Sequence, residues 1–267
     1  MNQGVAITGM GIISAIGKDV QSNYHSLVSG TTGVQRVSKI DTIHRDAIWV
    51  GEIDWSNEEL EARLNLPNDH NYTRTAVLGV WAAKQAAEDA KLSADPKIRT
   101  GLISATTVGG MDKTEKHYYE YLTSKACRKY IESHHAGDHS QKIAKELGID
   151  QGLVTTISTA CSSAANSVML GARLIKTGRL DRVIVGGADP LSKFTINGFN
   201  ALMILSDEHN TPFDQDRKGL NLGEAAAYLV LESEALVQKG NKKVYAYVSG
   251  YGNANDAFHQ TASSDHG

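Results

Sequence analysis

The sequence predicts an α/β protein built on a mostly parallel sheet with helices on its faces. Three observations carry that prediction. Short apolar runs alternate with longer segments of helical period along the whole chain. Hydrophobic residues make up 41% of 267 positions against 21% charged, enough to bury a substantial core. Twenty-five Gly against four Pro point to many tight turns and no Pro-rich linker.

Taken in order, Val5-Ala6-Ile7-Thr8 reads as a buried strand that ends in a glycine turn at Gly9-Met10-Gly11. Helical spacing begins at Asp19, a suitable N-cap, and stops at Gly30. The segment from Asn71 to Leu92 reads as the longest helix, with Val80, Ala83, Ala87 and Ala90 along one small-residue face. Thr100 to Thr106 is a strand, followed by a turn at Val108-Gly109-Gly110. Residues 112–148 are polar and read as two helices, Asp112–Cys127 and Ser140–Leu147. Leu153 to Ser158 is β-branched and passes into a helix at about Cys161, whose apolar stripe (Ala164, Ala165, Val168, Ala172, Ile175) closes at Gly178. Arg182–Gly187, Tyr228–Glu232 and Val244–Val248 complete the strands, with a short helix between the last two.

Composition excludes several classes. The balance of 27 Lys+Arg against 30 Asp+Glu gives a net charge of −3, with no basic run to neutralise nucleic-acid phosphates. Cys127 and Cys161 form neither a CxxC pair nor a disulfide framework. The start, MNQGVAITGMG, lacks a basic n-region and an apolar h-region, and no run approaches 18 apolar residues. The expected setting is soluble, reducing and cytoplasmic.

The strongest chemical signal is Ser158-Thr-Ala-Cys161-Ser-Ser-Ala-Ala-Asn166. A strand that runs into Cys161 at the start of a helix sets the sulfur where bare N–H groups and the positive helix end converge. Such a place favours thiolate and offers donors for an oxyanion on an acylated sulfur. A lone cysteine is more often a small buried hydrophobe, and that reading stands beside the catalytic one. Other patterns fail. Asp214-Gln-Asp216 starts like a calcium loop, but Lys218 takes a ligand position and Ala225 the twelfth. Gly9-Met-Gly11-Ile-Ile-Ser14 lacks the third Gly of a dinucleotide fingerprint. His134-His135-Ala-Gly-Asp138-His139 reads as a solvated helix entry rather than a metal site, since adjacent histidines point apart. In the segment 211–232, Arg217 and the nearby carboxylates, Glu224 among them, read as a buried ion pair that steadies a loop.

Five segments together resemble the beta-ketoacyl-ACP synthases of the I/II type, within the thiolase-like condensing enzymes. They are VAITGMGIISAIG (5–17), STACSSAANS (158–167), VIVGGAD (183–189), TPFDQDRKGLNLGEAAAYLVLE (211–232) and YVSGYGNANDAFHQT (247–261), in family order. The resemblance implies a thiolase-like αβαβα sandwich, with residues 1–267 as the N-terminal domain plus the start of the second half. It implies Cys161 as the acyl-accepting nucleophile and Thr261 near the pantetheine arm of the substrate. It further implies a homodimer joined partly by the strand before Cys161, and acyl carrier protein as partner. No metal or separate cofactor follows, the phosphopantetheine arriving on the carrier. The implied reaction is acyl transfer to Cys161, then decarboxylation of malonyl-ACP and Claisen condensation. The alternatives are a chain-length-factor-like partner, disfavoured by the retained Cys161, and a thiolase or ketoacyl synthase III, disfavoured by the segment 211–232.

Departures are as informative. The family's two catalytic histidines and supporting lysine belong to HGTGT-like and GHxxGAAG-like motifs of the C-terminal half, and neither motif occurs here. His259 matches a segment outside that pair and replaces neither. The expectation is therefore an N-terminal portion that lacks the C-terminal catalytic half. Ala225 and Ala227 stand where the family has Gly. Residues 125–141 depart from the usual FVP…N…AG pattern, and LPNDHNYTR (66–74) holds fewer cations than the carrier-docking patch of typical members.

Overall fold

The computed structural model describes residues 4–149, 151–259 and 264–265. Its organising element is a six-stranded sheet. The strands are β1 (Val5–Ser14), β4 (Thr100–Ala105), β5 (Leu153–Ile157), β6 (Arg182–Asp189), β8 (Ala225–Ser233) and β9 (Ala246–Tyr247), in the order β5-β4-β6-β8-β1-β9. A smaller sheet joins β2 (Gln35–Arg36), β3 (Trp49–Gly51) and β7 (Leu222–Gly223). The large sheet is mixed. β4 pairs in parallel with β5 and β6, whereas β8 enters antiparallel between β6 and β1, and β9 is antiparallel to β1. The expectation of a mostly parallel sheet therefore holds for strand direction in four of six strands but not for the pairings, because β8 returns between two strands that point the same way.

Alternation along the strands produces two cores. Leu102, Ile184 and Val230 point to one face and join α3 (Arg74–Asp89) and Ile143 of α6 (Ala136–Glu146). Their neighbours Ile103, Val183, Val185 and Leu231 point to the other face and join Ala172 and Ile175 of α7 (Ser163–Lys176). The result is helix–sheet–helix, three of the layers of the expected sandwich. A third cluster, Val37, Ile48, Val50, Leu191 and Ile196, lies under α8 (Lys193–Ala201) and the small sheet.

Local rules explain many element ends. α1 (Val20–Ser29) starts at Asp19, whose side chain accepts from the Ser22 amide, and ends at Gly30 with φ 68°. β1 does not turn at Gly9-Met10-Gly11 but continues to Ser14. The two glycines instead admit α3: a Cβ on Gly9 would come to 2.7 Å from the Ala90 Cβ, and one on Gly11 to 2.6 Å from the Ala86 amide nitrogen. The alanines of α3 are the other half of that close approach. The helix itself is shorter than Asn71–Leu92, since Thr73 caps its start by accepting from the Ala76 amide.

The polar segment divides differently from expectation. It forms α4 (Met111–Thr123), a 3₁₀ turn at Lys125–Cys127, α5 (Arg128–Glu132) and α6, which begins at Ala136 rather than Ser140. α4 buries none of its residues fully, yet two of its carboxylates cap other helices. Asp112 accepts from the Arg74 amide at 2.9 Å, and Glu115 from the Lys193 and Phe194 amides at 3.1 Å each. α2 (Asn57–Arg63) and α9 (Glu234–Gly240) complete the helices, both capped by serines.

Candidate active site

The C-terminal ends of β4, β5 and β6 lie side by side, and the loops that leave them meet. Thr106 donates its amide to the Ile157 carbonyl at 3.2 Å, which ties the β4 loop to the end of β5. Asp189, at the end of β6, accepts from the Thr106 hydroxyl (2.7 Å), the Thr107 amide (2.8 Å) and the Thr107 hydroxyl (2.7 Å). Beside this scaffold β5 passes through Ser158–Ser162 into α7.

The turn has an unusual conformation. Ala160 has φ 52°, in the left-handed region that residues with a Cβ rarely occupy. Its carbonyl accepts from both the Ser163 hydroxyl (2.6 Å) and the Ser163 amide (3.1 Å). The Ser163 oxygen in turn accepts from the Thr159 amide at 2.7 Å. Helix α7 begins at Ser163, two residues beyond the expected start, and Ser162 at its N-cap supplies no side-chain cap. Cys161 is exposed just ahead of that uncapped end, whereas Cys127 is buried. A thiol so placed can reach an external acyl donor while the first-turn amides of α7 carry the positive end of the helix dipole.

Cys127 has the opposite environment. Its Sγ donates to Glu120 Oε2 at 3.0 Å, and that carboxylate holds the thiol above the ordinary cysteine range. With His117 these two form the group of metal-ligand type that converges among the described residues, their donor atoms within 4.8 Å of one another. His117 stacks on Tyr130 with ring centroids 4.2 Å apart, and Glu120 is largely exposed.

The histidine cluster is not a solvated helix entry throughout. His134 pairs through Nδ1 with the Thr114 hydroxyl (2.9 Å), and His135 caps α6 by accepting from the Gly137 amide (3.0 Å). His139 is 1% exposed. Its Nε2 meets the Ser104 hydroxyl at 2.7 Å, which meets the buried Tyr228 hydroxyl at 2.5 Å, and its Nδ1 meets the Ala136 carbonyl at 2.5 Å. Burial pushes the imidazole down to about 4. The residue lands inside because α6 starts one turn earlier than the sequence suggests, which rotates His139 onto the face toward β4 and β5.

The ion pair expected of Arg217 belongs to another arginine. Arg217 is exposed and donates to the Asp214 carbonyl. Glu224 instead receives the buried guanidinium of Arg74, Nε to Oε2 at 2.7 Å and Nη2 to Oε1 at 2.5 Å. The same carboxylate accepts from the Ile53 amide (2.9 Å) and the Leu191 amide (3.2 Å). Arg74 is thereby withdrawn from the surface around 66–74. Ala225 and Ala227 are exposed, on the face opposite Ala226 and Tyr228. Thr261 lies outside the described residues.

Comparison with known proteins gives a consistent picture. Residues 2–236 match the family model described as beta-ketoacyl synthase, N-terminal domain. The chain is 30% identical over 278 residues to 3-oxoacyl-[acyl-carrier-protein] synthase 2 of Staphylococcus aureus, covering all of this chain and 66% of that protein. It is 29% identical over 275 residues to the protein of the same name from Vibrio cholerae, covering 98% and 66%. The chain thus spans just under two thirds of the length of these curated relatives. Among solved structures, the ishigamide ketosynthase/chain length factor superposes with a TM-score of 0.88 at 29% identity, over 98% of this chain and 66% of that one. A ketosynthase in complex with its chain length factor from Xenorhabdus doucetiae gives 0.73 at 30% identity, over 87% and 58%.

Proposed function

The chain belongs to the beta-ketoacyl synthases, and on that premise we propose that it carries the acyl-accepting half of a 3-oxoacyl-ACP synthase, with Cys161 as the acceptor. The observation that carries the reading is the exposed Cys161 thiol ahead of the uncapped start of α7, whereas the second cysteine, Cys127, is buried. The Cys161 thiolate attacks the thioester carbonyl of an acyl carrier protein, and the C–S bond to the pantetheine thiol breaks as that to Cys161 forms. The pantetheine sulfur leaves and takes a proton. Loss of CO2 from malonyl-ACP then yields an enolate carbon that attacks the acyl-cysteine and releases the Cys161 sulfur. Holding the acyl group on the protein makes that second attack effectively intramolecular. The described residues contribute acceptance and orientation. The decarboxylation step draws on histidines and a lysine outside the matched segments, so we assign it to the complete protein.

The partners proposed are an acyl carrier protein, whose phosphopantetheine supplies the only prosthetic group, and a second copy of the chain. The position of β5 supports the latter: it is one of the two edge strands of the sheet and runs directly into the Cys161 turn. Thr261 is retained as a contact to the pantetheine arm. No helix among the described residues is long and apolar enough to cross a membrane, and we propose a cytoplasmic setting. A chain-length-factor role is favoured less, because Cys161 is present and accessible.

Peptide-resolved mass spectrometry after incubation with acyl-ACP tests the reading. An acyl mass on the Cys161 peptide, absent from Cys127 and lost in Cys161→Ala, is expected. Acylation elsewhere, or none on the complete protein, overturns it.

A further inference from the structure

We propose that Asn166, held in turn by Asn253, is the positioning residue for the Cys161 turn; the inference rests on Cys161 being the acyl acceptor. The Ala160–Cys161 pair is held in a conformation that an unsupported chain leaves, since Ala160 has φ 52°. Asn166 sits one turn into α7 and is 7% exposed. Its Nδ2 donates to Thr159 Oγ1 at 2.8 Å and to Ser162 Oγ at 3.2 Å. Those are the residue before Ala160 and the residue after Cys161, so one amide spans both ends of the strained pair.

The direction of these bonds is fixed by bookkeeping of protons. The Ser162 hydroxyl donates to the Thr159 carbonyl at 2.8 Å, which leaves its oxygen as an acceptor toward Asn166. The amide NH2 therefore faces the turn, and Oδ1 faces away, where it accepts from Asn253 Nδ2 at 3.0 Å. A side chain with two donors on one nitrogen and an acceptor behind it suits this place. Serine offers one donor, and an aspartate none. Asn253 is delivered by a stretch of chain laid against α7, where the Tyr251 ring lies under the Arg173 guanidinium (5.5 Å) and the Lys176 ammonium (5.3 Å). The orientation of the reactive turn thus depends on a segment 87 residues downstream of Asn166.

The experiment is iodoacetamide labelling of the full chain, resolved by peptide and followed across pH, with Cys127 as internal reference. Four proteins are compared: the unaltered chain, Asn253→Ala, Asn166→Ala and the double variant. Asn166→Ala is expected to slow Cys161 labelling by about tenfold relative to Cys127 across the pH range, since small displacements of a reacting group are costly. Asn253→Ala is expected to give about a threefold loss, and the double variant to match Asn166→Ala, because Asn253 acts only through Asn166. Cys127 stays slow in all four. Overlaid profiles, or single effects that multiply in the double variant, overturn the inference alone. So does faster Cys127 labelling alongside a change at Cys161, which reports loosening of the fold. Should Cys161 of the unaltered protein label no faster than Cys127, the acyl-acceptor reading falls and takes this inference with it. Asn253 is exposed, so its variant keeps the test available if Asn166→Ala does not fold.

Discussion

Acidification removes stability through His139, and the amount follows from its surroundings. The imidazole is enclosed by Ser104, Tyr228 and the Ala136 carbonyl, with Asp189 and Lys142 as the charged groups that act on it. Burial lowers its folded-state value from 6.5 to about 4, so the unfolded chain binds the proton first. Stability from this group is therefore complete above pH 6.5 and declines as pH falls toward 4. A depression of that size corresponds to about 3 kcal/mol in full, of which about 2 kcal/mol disappears between pH 7.5 and 5.0. Urea unfolding of the complete chain at a series of pH values in that interval measures it. His139→Gln has no proton to take up and is expected to be less stable at pH 7.5 but to lose about 2 kcal/mol less than the unaltered protein on going to pH 5.0. Equal losses in the two proteins would refute the argument, for then the proton taken up in this interval goes elsewhere.

Three further outcomes are expected. Gly11→Ala places a methyl against the α3 backbone and should cost about 1–3 kcal/mol by denaturant midpoint, with β1 and α3 forced apart. Glu224→Gln removes the carboxylate charge opposite buried Arg74 and should cost about 3–5 kcal/mol, whereas Arg217→Ala at the exposed loop should change stability by less than about 0.5 kcal/mol; similar costs for the two would contradict the pairing described. Ala160→Gly relieves a left-handed φ and should leave stability equal or raise it by up to about 1 kcal/mol in thermal unfolding, while loosening Cys161.

What could be read in the sequence was governed by how far apart the deciding atoms lie along the chain. The boundaries of α1 were legible because Asp19 and Gly30 satisfy the helix ends locally. β4, β5 and β6 were legible as short apolar runs, and Cys161 was placed correctly between strand and helix because that change of period is itself a local signal. The true environments of Gly9 and Gly11 were not, since the same residues that permit a tight turn also permit a helix to approach a strand. Arg74 and Glu224 stand 150 residues apart, and nothing near either one identifies the other. The short parallel pairing of β3 with β7 is hidden for the same reason. His139 was misjudged through a one-turn error in a helix start, which moves a side chain from solvent to core. Asn166 carries no recognisable signature beyond its place in the nucleophile segment; only the hydroxyls it joins distinguish it from an ordinary helix residue.

The carboxylate of Glu224 makes intermediate states of this protein expensive. Its four bonds come from Arg74, Ile53 and Leu191, so it is satisfied only when three distant stretches have arrived. Any partly assembled chain that has already formed β8 and closed over this position strands an anion in a water-poor interior. The penalty selects against docking the segments one at a time. Nucleation is thereby coupled across most of the polypeptide, and the helix–sheet–helix unit should melt in one cooperative step rather than shedding its small sheet first.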